Sequence, residues 1–584
     1  MKKILFCLFG VLIIVSAVSA QSRSFSMIPK PKSAQNSTRS KMEQTPEYKK
    51  ALKVYERLRE ARGDFRYPVP EFFMTQQKGQ VAFINYGPPI EIFLEEAAYK
   101  VCASFGDKAD AAMAFLLGHE LAHYYEKHGW RSDFGTNYNH LGISKQLDTL
   151  YKEIEKFAEG KKIHKTLMRF DTLSHQYEDV AMESQADYLG GFLAYSAGYG
   201  LFDDGDKLIG RLYDEYGMKQ NTEGYVTRSE RENMSKTASE RMKILVDVFE
   251  MANMLTAIGR YDDANLFYRY VLMEYQGREI YNNVGVTYLL FALKEYYKED
   301  DLKFRFPIQL DLAMGTHRGD DEIKERNRLL EQAIQHFDAA ISLDPGYSPA
   351  YLNKACAYAL MGENARAYFY ADVEGRKAAT KDTLAINTLA INNLEILLGI
   401  LDFGNGNAAK AKERFTMAKA TNKELAEYNL AKLNDQNPPA PPGCDEGFFM
   451  DETIEKQDIH KIPHPPDGQK LQIEANMSFH RVHKMGDDTL RHSRLLYARR
   501  PLGKTTKFLI TNRSYPEKTS REIGLGASRA EILKAYCEGE APTSIQTPQG
   551  EIIAFRDKGI LFIMKYNHLK KVSELERWVL FKEP

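Results

Sequence analysis

One stretch of the chain, residues 111–130 (AAMAFLLGHELAHYYEKHGW), restricts the fold more than any other. It lacks proline and β-branched residues, and its apolar side chains recur every three to four positions, which predicts a half-buried helix. His119 and His123 would lie one turn apart on the same face of that helix and could bind one metal ion together. Glu120 would lie beside them, where a carboxylate can accept a proton from water.

An H-E-x-x-H element also arises by chance, so the interpretation needs a third ligand. Residues 178–195 (EDVAMESQADYLGGFLAY) predict a second helix, in which Glu183 and Asp187 lie one turn apart. Glu183 could complete a site of two histidines and one glutamate, and Asp187 could orient a ligand. An ordinary solvated helix face is the alternative, although the flanking apolar residues favour partial burial.

The two motifs together resemble a known family. HELAH followed by ESQAD is similar to the E-x-x-x-D arrangement of HtpX and the CAAX prenyl proteases, which are zinc metallopeptidases of the gluzincin type. The resemblance covers roughly residues 42–250. It implies one Zn²⁺ per chain bound by His119, His123 and Glu183. It also implies that Glu120 is the catalytic base and that Asp187 orients a ligand.

A third segment matches the family only in part. Residues 235–242 (SKTASERM) resemble the family's H-P-x-x-x-E-R-I segment, but Ser235 and Lys236 stand where His-Pro is usual. In the family a downstream basic residue steadies the oxyanion, and such chemistry needs a preorganised positive charge. Arg241 and Lys236 are both candidates here, and Arg241 could equally be a structural ion-pair partner.

The first 20 residues (MKKILFCLFGVLIIVSAVSA) predict a secretory signal peptide, because lysines precede a short apolar run that ends in small residues. An uncleaved anchor is the alternative. Residues 21–45 predict a flexible leader. No later stretch is apolar enough to span a membrane, unlike the membrane-embedded relatives. We therefore expect a periplasmic or secreted protein without a transmembrane segment in its mature chain.

The charge balance argues against nucleic acid as a partner. The chain has 79 basic and 80 acidic side chains, for a net charge of −1, and therefore no basic surplus to attract phosphates. Its five cysteines are scattered without C-x-x-C spacing, so they indicate neither a metal cluster nor a disulfide framework.

Residues 46–246 predict the catalytic domain, which would be mainly helical with a small sheet. A helix is expected over residues 47–62, and short strands over 72–74 and 80–85 (QVAFIN), with Lys78-Gly79 as the turn signal between them. In gluzincins an edge strand beside the zinc helix pairs with the substrate backbone. QVAFIN is the candidate for that strand by β-augmentation, and an ordinary core strand is an equal alternative.

Residues 247–436 resemble tetratricopeptide repeats, in which small residues let paired helices approach and aromatic residues fill the gaps. A generic helical bundle is the alternative. The matching positions are Gly259, Tyr261, Ala264, Tyr268; Ala333, Phe337, Ala340, Leu343, Asp344, Pro345, Tyr351, Ala355, Tyr358, Gly362; and Gly399, Gly406, Ala411, Phe415, Ala418.

A Pro-rich linker at residues 437–443 precedes a small α+β domain at 444–584. Strands are expected over residues 473–482, 494–498, 507–511, 551–555 and 560–564. Between the third and fourth of these, a short helix over 528–535 is expected to be capped by Ser528.

The predicted fold class is therefore multidomain α+β: a mainly helical zincin domain with a small edge sheet, a helical repeat solenoid and a small α+β domain. This order resembles BepA-type periplasmic proteases, which act on and help assemble envelope proteins. The resemblance implies an exported metalloendopeptidase whose repeats recruit protein or peptide substrates or an envelope assembly partner. The alternative is a chaperone or scaffold whose peptidase activity is vestigial or gated.

Overall fold

The computed structural model describes residues 45–86, 89–126, 182–218, 227–297, 303–308, 320–381, 387–437, 451–462, 469–482, 484–485, 488–501, 504–538, 542–547, 550–567 and 572–584. The chain divides into two compact units. The first comprises residues 1–63 and 67–243, and the second comprises 64–66 and 244–584. The predicted signal peptide, the leader and most of the Pro-rich linker lie outside the described residues.

The first unit contains a small sheet among helices. Its elements are α1 (Pro46–Arg62), β1 (Glu71–Thr75), β2 (Ala82–Asn85), β3 (Glu91–Glu95), α2 (Glu96–Ala103), α3 (Ala109–Tyr125), α4 (residues 182–194), α5 (Gly205–Tyr216) and the beginning of α6 (Arg228–Ala257). Thr45 caps the N-terminus of α1, because its side chain accepts a hydrogen bond from Tyr48 N. Gly63, in the left-handed conformation, caps the C-terminus.

The two predicted strands are present, but they do not pair with each other. The order is β1-β3-β2, with β3 parallel to β1 and antiparallel to β2. The turn signal at Lys78-Gly79 therefore does not close a hairpin between β1 and β2, because β3 lies between these two strands in the sheet. This order leaves β2 at an edge of the sheet, and β2 packs against α3.

Helix α3, the helix predicted around the H-E-x-x-H element, is more enclosed than a half-buried helix. Met113 is 1% exposed, Ala114 0%, Phe115 2% and Leu116 7%, although four consecutive residues point to different faces of a helix. The reason is that α1, α2, α5 and β2 all pack around it. The predicted ligands His119 and His123 therefore lie on a helix that is packed from several sides.

The second unit begins with helices that pack on their neighbours along the chain. After the end of α6 they are α7 (Tyr261–Glu274), α8 (Arg278–Tyr296), α9 (Asp320–Leu343), α10 (Ser348–Leu360), α11 (Asn364–Tyr368), α12 (Arg376–Lys381), α13 (Asn387–Gly404), α14 (Ala408–Ala418) and α15 (Lys423–Leu433). Several positions of the repeat pattern are fully buried, namely Ala264, Ala333, Phe337, Ala340, Ala355, Ala411, Phe415 and Ala418.

The helices of this unit approach closely where glycine faces an aromatic ring. A Cβ placed on Gly285 would lie 2.6 Å from the Phe337 ring, and one placed on Gly399 would lie 2.6 Å from the Phe415 ring. Both values are shorter than any ordinary carbon contact, so each glycine provides the space that the ring fills. The same small-against-aromatic contact thus recurs in two helix pairs.

The second unit also contains an antiparallel sheet of eight strands in the order β10-β11-β12-β13-β9-β8-β5-β4. The strands are β4 (Gln469–Glu474), β5 (Met477–Val482), β8 (Ser493–Arg499), β9 (Thr505–Thr511), β10 (Thr543–Thr547), β11 (Gly550–Phe555), β12 (Ile560–Asn567) and β13 (Val572–Lys582). Two short strands, β6 (Lys484–Met485) and β7 (Asp488–Thr489), pair only with each other among the described residues.

The sheet departs from the sequence prediction in two respects. The single strand expected over residues 473–482 is a hairpin, since the chain reverses between β4 and β5. The sequence pattern does not predict strands β10 and β13. The short helix α16 (Arg529–Ala535) is present as expected, and Ser528 caps it in a capping box with Glu531.

Within the described residues, none of the helices is both long and apolar enough to cross a membrane.

Candidate metal centre

Two glycines bring the helices of the site together. A Cβ placed on Gly118 of α3 would lie 2.5 Å from the Gly190 carbonyl oxygen, and one placed on Gly190 of α4 would lie 2.4 Å from the His119 amide nitrogen. The helices therefore touch backbone to backbone, which only glycine permits at this distance. This contact lies directly beside His119, so it sets the separation between the side chains of the two helices.

The expected ligands converge across that contact. The Nε2 atoms of His119 and His123 lie 3.0 Å apart. Glu183 places one oxygen 3.5 Å from His119 Nε2 and the other 3.3 Å from His123 Nε2. Among the described residues, these three form the group of His, Cys, Asp or Glu side chains that can hold a metal ion.

Asp187 fixes the tautomer of His119. It lies one turn beyond Glu183 on α4, is 1% exposed, and accepts a hydrogen bond of 2.8 Å from His119 Nδ1. Since a carboxylate can only accept, Nδ1 carries a proton, and Nε2 is the ring nitrogen left for a metal ion. Asp187 is therefore placed to orient His119.

A cation that sequence reasoning missed neutralises this carboxylate. Arg231, in the first turn of α6, donates to both oxygens of Asp187, with Nη2 2.9 Å from Oδ1, and lies 3.4 Å from Glu183. No motif marks Arg231, which precedes the segment 235–242 that resembles the family. The signal that could have located it is physical, because a buried aspartate next to a metal ligand needs a buried cation or donor.

The charges of this cluster shift the pKa values of its members. Burial would raise the pKa of Asp187, but Arg231 and the hydrogen bond from His119 lower it to about 2. Burial would lower the pKa of His119, but the hydrogen bond to Asp187 and the charge of Glu183 raise it to about 8. Burial would also raise the pKa of Glu183, whereas His123, His119 and Arg231 hold it well below its ordinary value. Both carboxylates therefore stay ionised and favour a positive charge between them.

Glu120 differs from these two carboxylates. Burial raises its pKa above the ordinary value, and the charge of Glu183 raises it further, although His119, His123 and Arg231 act in the opposite direction. A raised pKa makes a carboxylate a better proton acceptor, which is the property that a general base near neutral pH requires.

Comparison with known proteins agrees with this geometry. Residues 51–203 match Peptidase family M48, and this range contains both helices of the site. The chain carries a Peptidase family M48 domain. No curated protein gives a significant match to the chain. The family confirms the zincin-like metallopeptidase domain that HELAH and ESQAD predicted, and the M48 domain is thereby a protease domain.

The donor set of the M48 domain suits a divalent metal such as zinc. Zinc ligands at about 2.0–2.1 Å in tetrahedral geometry lie roughly 3.3 Å from one another. The three separations of 3.0, 3.3 and 3.5 Å between the ligand atoms are close to that value. Two imidazole nitrogens and a carboxylate held at these distances could therefore bind one cation together.

The two cations proposed from the sequence as oxyanion stabilisers, Arg241 and Lys236, have different surroundings. The Arg241 guanidinium packs over the Tyr188 ring, 4.7 Å from its centroid, and Lys236 is an exposed residue of α6. Ser235, which stands at the position of the family's histidine, is fully buried, and its hydroxyl has no partner within the described structure. A Cβ on Gly205 would lie 2.7 Å from that hydroxyl oxygen, so Ser235 packs against α5.

Proposed function

We propose that the chain is an exported zinc-dependent metalloendopeptidase that cleaves protein substrates in the cell envelope. The observation that carries this proposal is the convergence of His119, His123 and Glu183 beside a carboxylate with a raised pKa, Glu120, in an M48 domain. We propose one Zn²⁺ per chain, held by these two histidines and Glu183.

When bound, Zn²⁺ would polarise the scissile carbonyl and make water more acidic. Glu120 then accepts the proton of the attacking water and returns it to the leaving amine nitrogen, so the carboxylate ends the cycle ionised as it began. Asp187 keeps the proton of His119 on Nδ1, and Arg231 keeps Asp187 ionised. These two are positioning residues, since they act through His119.

The position of strand β2 supports substrate binding by addition of a β-strand to the sheet. Among the described strands it is an edge strand, and it packs against the helix that carries His119 and Glu120, so it is placed to pair with an extended peptide. Backbone pairing of this kind recognises an extended chain rather than a particular side chain. It therefore favours unfolded protein segments as the substrate class.

The helices of the second unit support a recruiting role. Small and aromatic residues at the predicted repeat positions are buried, and glycine packs on an aromatic ring in two helix pairs. We propose that these helices form a tetratricopeptide-like array that binds protein substrates or an envelope assembly partner, as in BepA-type proteases.

Export is proposed from the first 20 residues, and the oxidation state of one cysteine supports it. Cys537 is disulfide-bonded, whereas Cys102 and Cys356 are free and buried. Disulfides persist in oxidising compartments such as the periplasm and are rare in the cytosol.

The test is the Glu120→Gln variant of the full chain. Glu120 lies beside the metal ligands without being one of them, so this variant should keep zinc and fold. Its amide cannot accept the proton from water, and loss of the general base should slow cleavage by about 10²–10⁴-fold. Cleavage of an unfolded envelope protein by parent and variant is measured side by side, with zinc content confirmed in both. Equal rates would exclude Glu120 as the base.

The scaffold alternative gives a different result in the cell. If binding alone is the function, Glu120→Gln should complement a deletion strain as well as the parent does, while the isolated variant shows no cleavage. His119→Ala is the matched control for the metal, since it removes one of the three ligands and should lower zinc content. Unchanged zinc content in His119→Ala would contradict the ligand set.

A further inference from the structure

We propose that the second unit contains a binding site for a phosphate group, built on one face of the eight-stranded sheet where β4, β5 and β8 meet. A cavity of about 220 Å³ lies there, lined among others by Lys470, Ser478, His480 and Arg499. On this measure of volume a single water needs roughly 10–15 Å³, so the cavity has room for a tetrahedral oxyanion and part of the molecule that bears it.

The strand register places these side chains together. Lys470 lies opposite His480, and Ser478 lies opposite Arg499, in pairs formed by adjacent antiparallel strands. His480 and Ser478 are two residues apart on β5 and therefore share a face. Donors from three adjacent strands thus surround one cavity.

The centre of the site is rigid and buried. His480 is 8% exposed, and its ring stacks on Tyr497 with centroids 4.4 Å apart and planes 9° apart. Its Nε2 lies 3.0 Å from the Ser478 hydroxyl, which is also buried. Such stacking and hydrogen bonding fix the polar atoms before any ligand arrives, which lowers the entropic cost of binding.

The charge of the cavity favours an anion. Lys470 and Arg499 are exposed residues, and within the described residues neither forms an ion pair. The third lining cation, Arg500, is held by Asp263 at 2.7 Å, and Glu474 of β4 lies 3.9 Å from Arg269. Two cations therefore remain for a ligand.

The two cations also lower the pKa of His480. Burial lowers its pKa, and the positive charges of Lys470 and Arg499 lower it further. A bound anion would offset this repulsion and accept hydrogen bonds from the same groups.

Phosphate fits this arrangement better than carboxylate does. The donors stand on three adjacent strands and line one cavity, whereas a carboxylate presents only two oxygens in one plane. A phosphate group presents oxygens in several directions, and arginine and lysine are its usual partners. Inorganic phosphate and the phosphate of a lipid headgroup share this chemistry.

The test is calorimetric titration of the full chain with sodium phosphate, with glycerol 3-phosphate and with phosphatidylglycerol vesicles at low ionic strength. We expect saturable binding that weakens as salt is added. Arg499→Gln and Lys470→Gln should each weaken it by about tenfold or more, since each removes a charge-assisted hydrogen bond. Binding of the small phosphates would identify a soluble ligand. Binding confined to the vesicles would identify a lipid headgroup.

The matched control is Arg513→Gln. Arg513 follows β9, is half-exposed and pairs with Glu576 of β13 at 3.2 Å, so its loss changes the net charge of the same unit without touching the cavity. It should bind as the parent does. Unchanged binding in Arg499→Gln and Lys470→Gln, or no binding of any phosphate compound by the parent, would overturn the proposal. Equal affinity for acetate would overturn the assignment to phosphate.

Discussion

Replacing Gly190 by alanine should separate the two helices of the metal centre. The new Cβ would lie 2.4 Å from the His119 amide nitrogen and 2.5 Å from the Gly118 carbonyl carbon, where ordinary contacts begin at 3.4 Å. The shortfall is about 1 Å, and it is against backbone, which cannot rotate away as a flexible side chain could. Overpacking of this kind costs about 1–3 kcal/mol and occasionally more.

The metal should respond more sharply than the fold. Metal–ligand distances in proteins hold within about ±0.2 Å, so a separation of about 1 Å between α3 and α4 cannot be absorbed at the site. His119 and His123 would move together on one helix, whereas Glu183 would stay with the other. We expect zinc affinity to fall by at least about tenfold, which is the lower end of the loss seen when support of a ligand is removed.

Zinc affinity is measured by competition with a chelator of known affinity, and the unfolding temperature is measured with and without the chelator. In the parent, zinc should raise the unfolding temperature, and in Gly190→Ala this increase should be reduced. Gly404→Ala is the control, because a Cβ on Gly404 would have no atom within 4 Å. Parental zinc affinity in Gly190→Ala would refute the claim that this contact sets the site.

Two further predictions concern buried charges, one in each unit. Arg231→Ala leaves the buried Asp187 without its cation, so it should raise the pKa of Asp187 and weaken zinc binding by about 10–100-fold. Arg231→Lys should partly restore the zinc affinity, which is measured in both variants by competition with a chelator. An equal loss of zinc affinity in the two variants would indicate damage to the fold instead. Asp247 is 3% exposed and pairs with Arg494 at 2.9 Å and with Arg481. Asp247→Ala should therefore lower the free energy of unfolding of the second unit by about 3–5 kcal/mol, measured by urea unfolding followed by circular dichroism. A decrease below ~1 kcal/mol would contradict the view that these ion pairs stabilise the unit.

The candidate ligands of the metal centre could be picked out from the sequence because their signal is local. In a helix of 3.6 residues per turn, the spacing of His119 and His123 already places both on one face, and the same holds for Glu183 and Asp187. The Ser528 cap is local in the same sense, because it depends on residues within one turn. The sequence by itself therefore determined which helices could bind a metal and which residues would project together.

Contacts between distant segments could not be read in this way. Arg231 reaches Asp187 only because α6 packs beside α4, and no spacing along the chain reports that contact. Gly118 and Gly190 could be seen as glycines, but not as the point where two backbones touch. The position of β3 between β1 and β2 follows from pairing across the sheet, which local turn signals do not determine.

The proposed phosphate site shows the same division. Lys470, His480 and Arg499 have no spacing along the chain that marks a ligand site. His480 is buried on β5, and strand register brings it beside Lys470 and near Arg499. The sequence determined the local elements and the chemistry of their side chains. Only the tertiary structure decided which of those side chains meet, because register and helix crossing depend on packing between residues far apart in the chain.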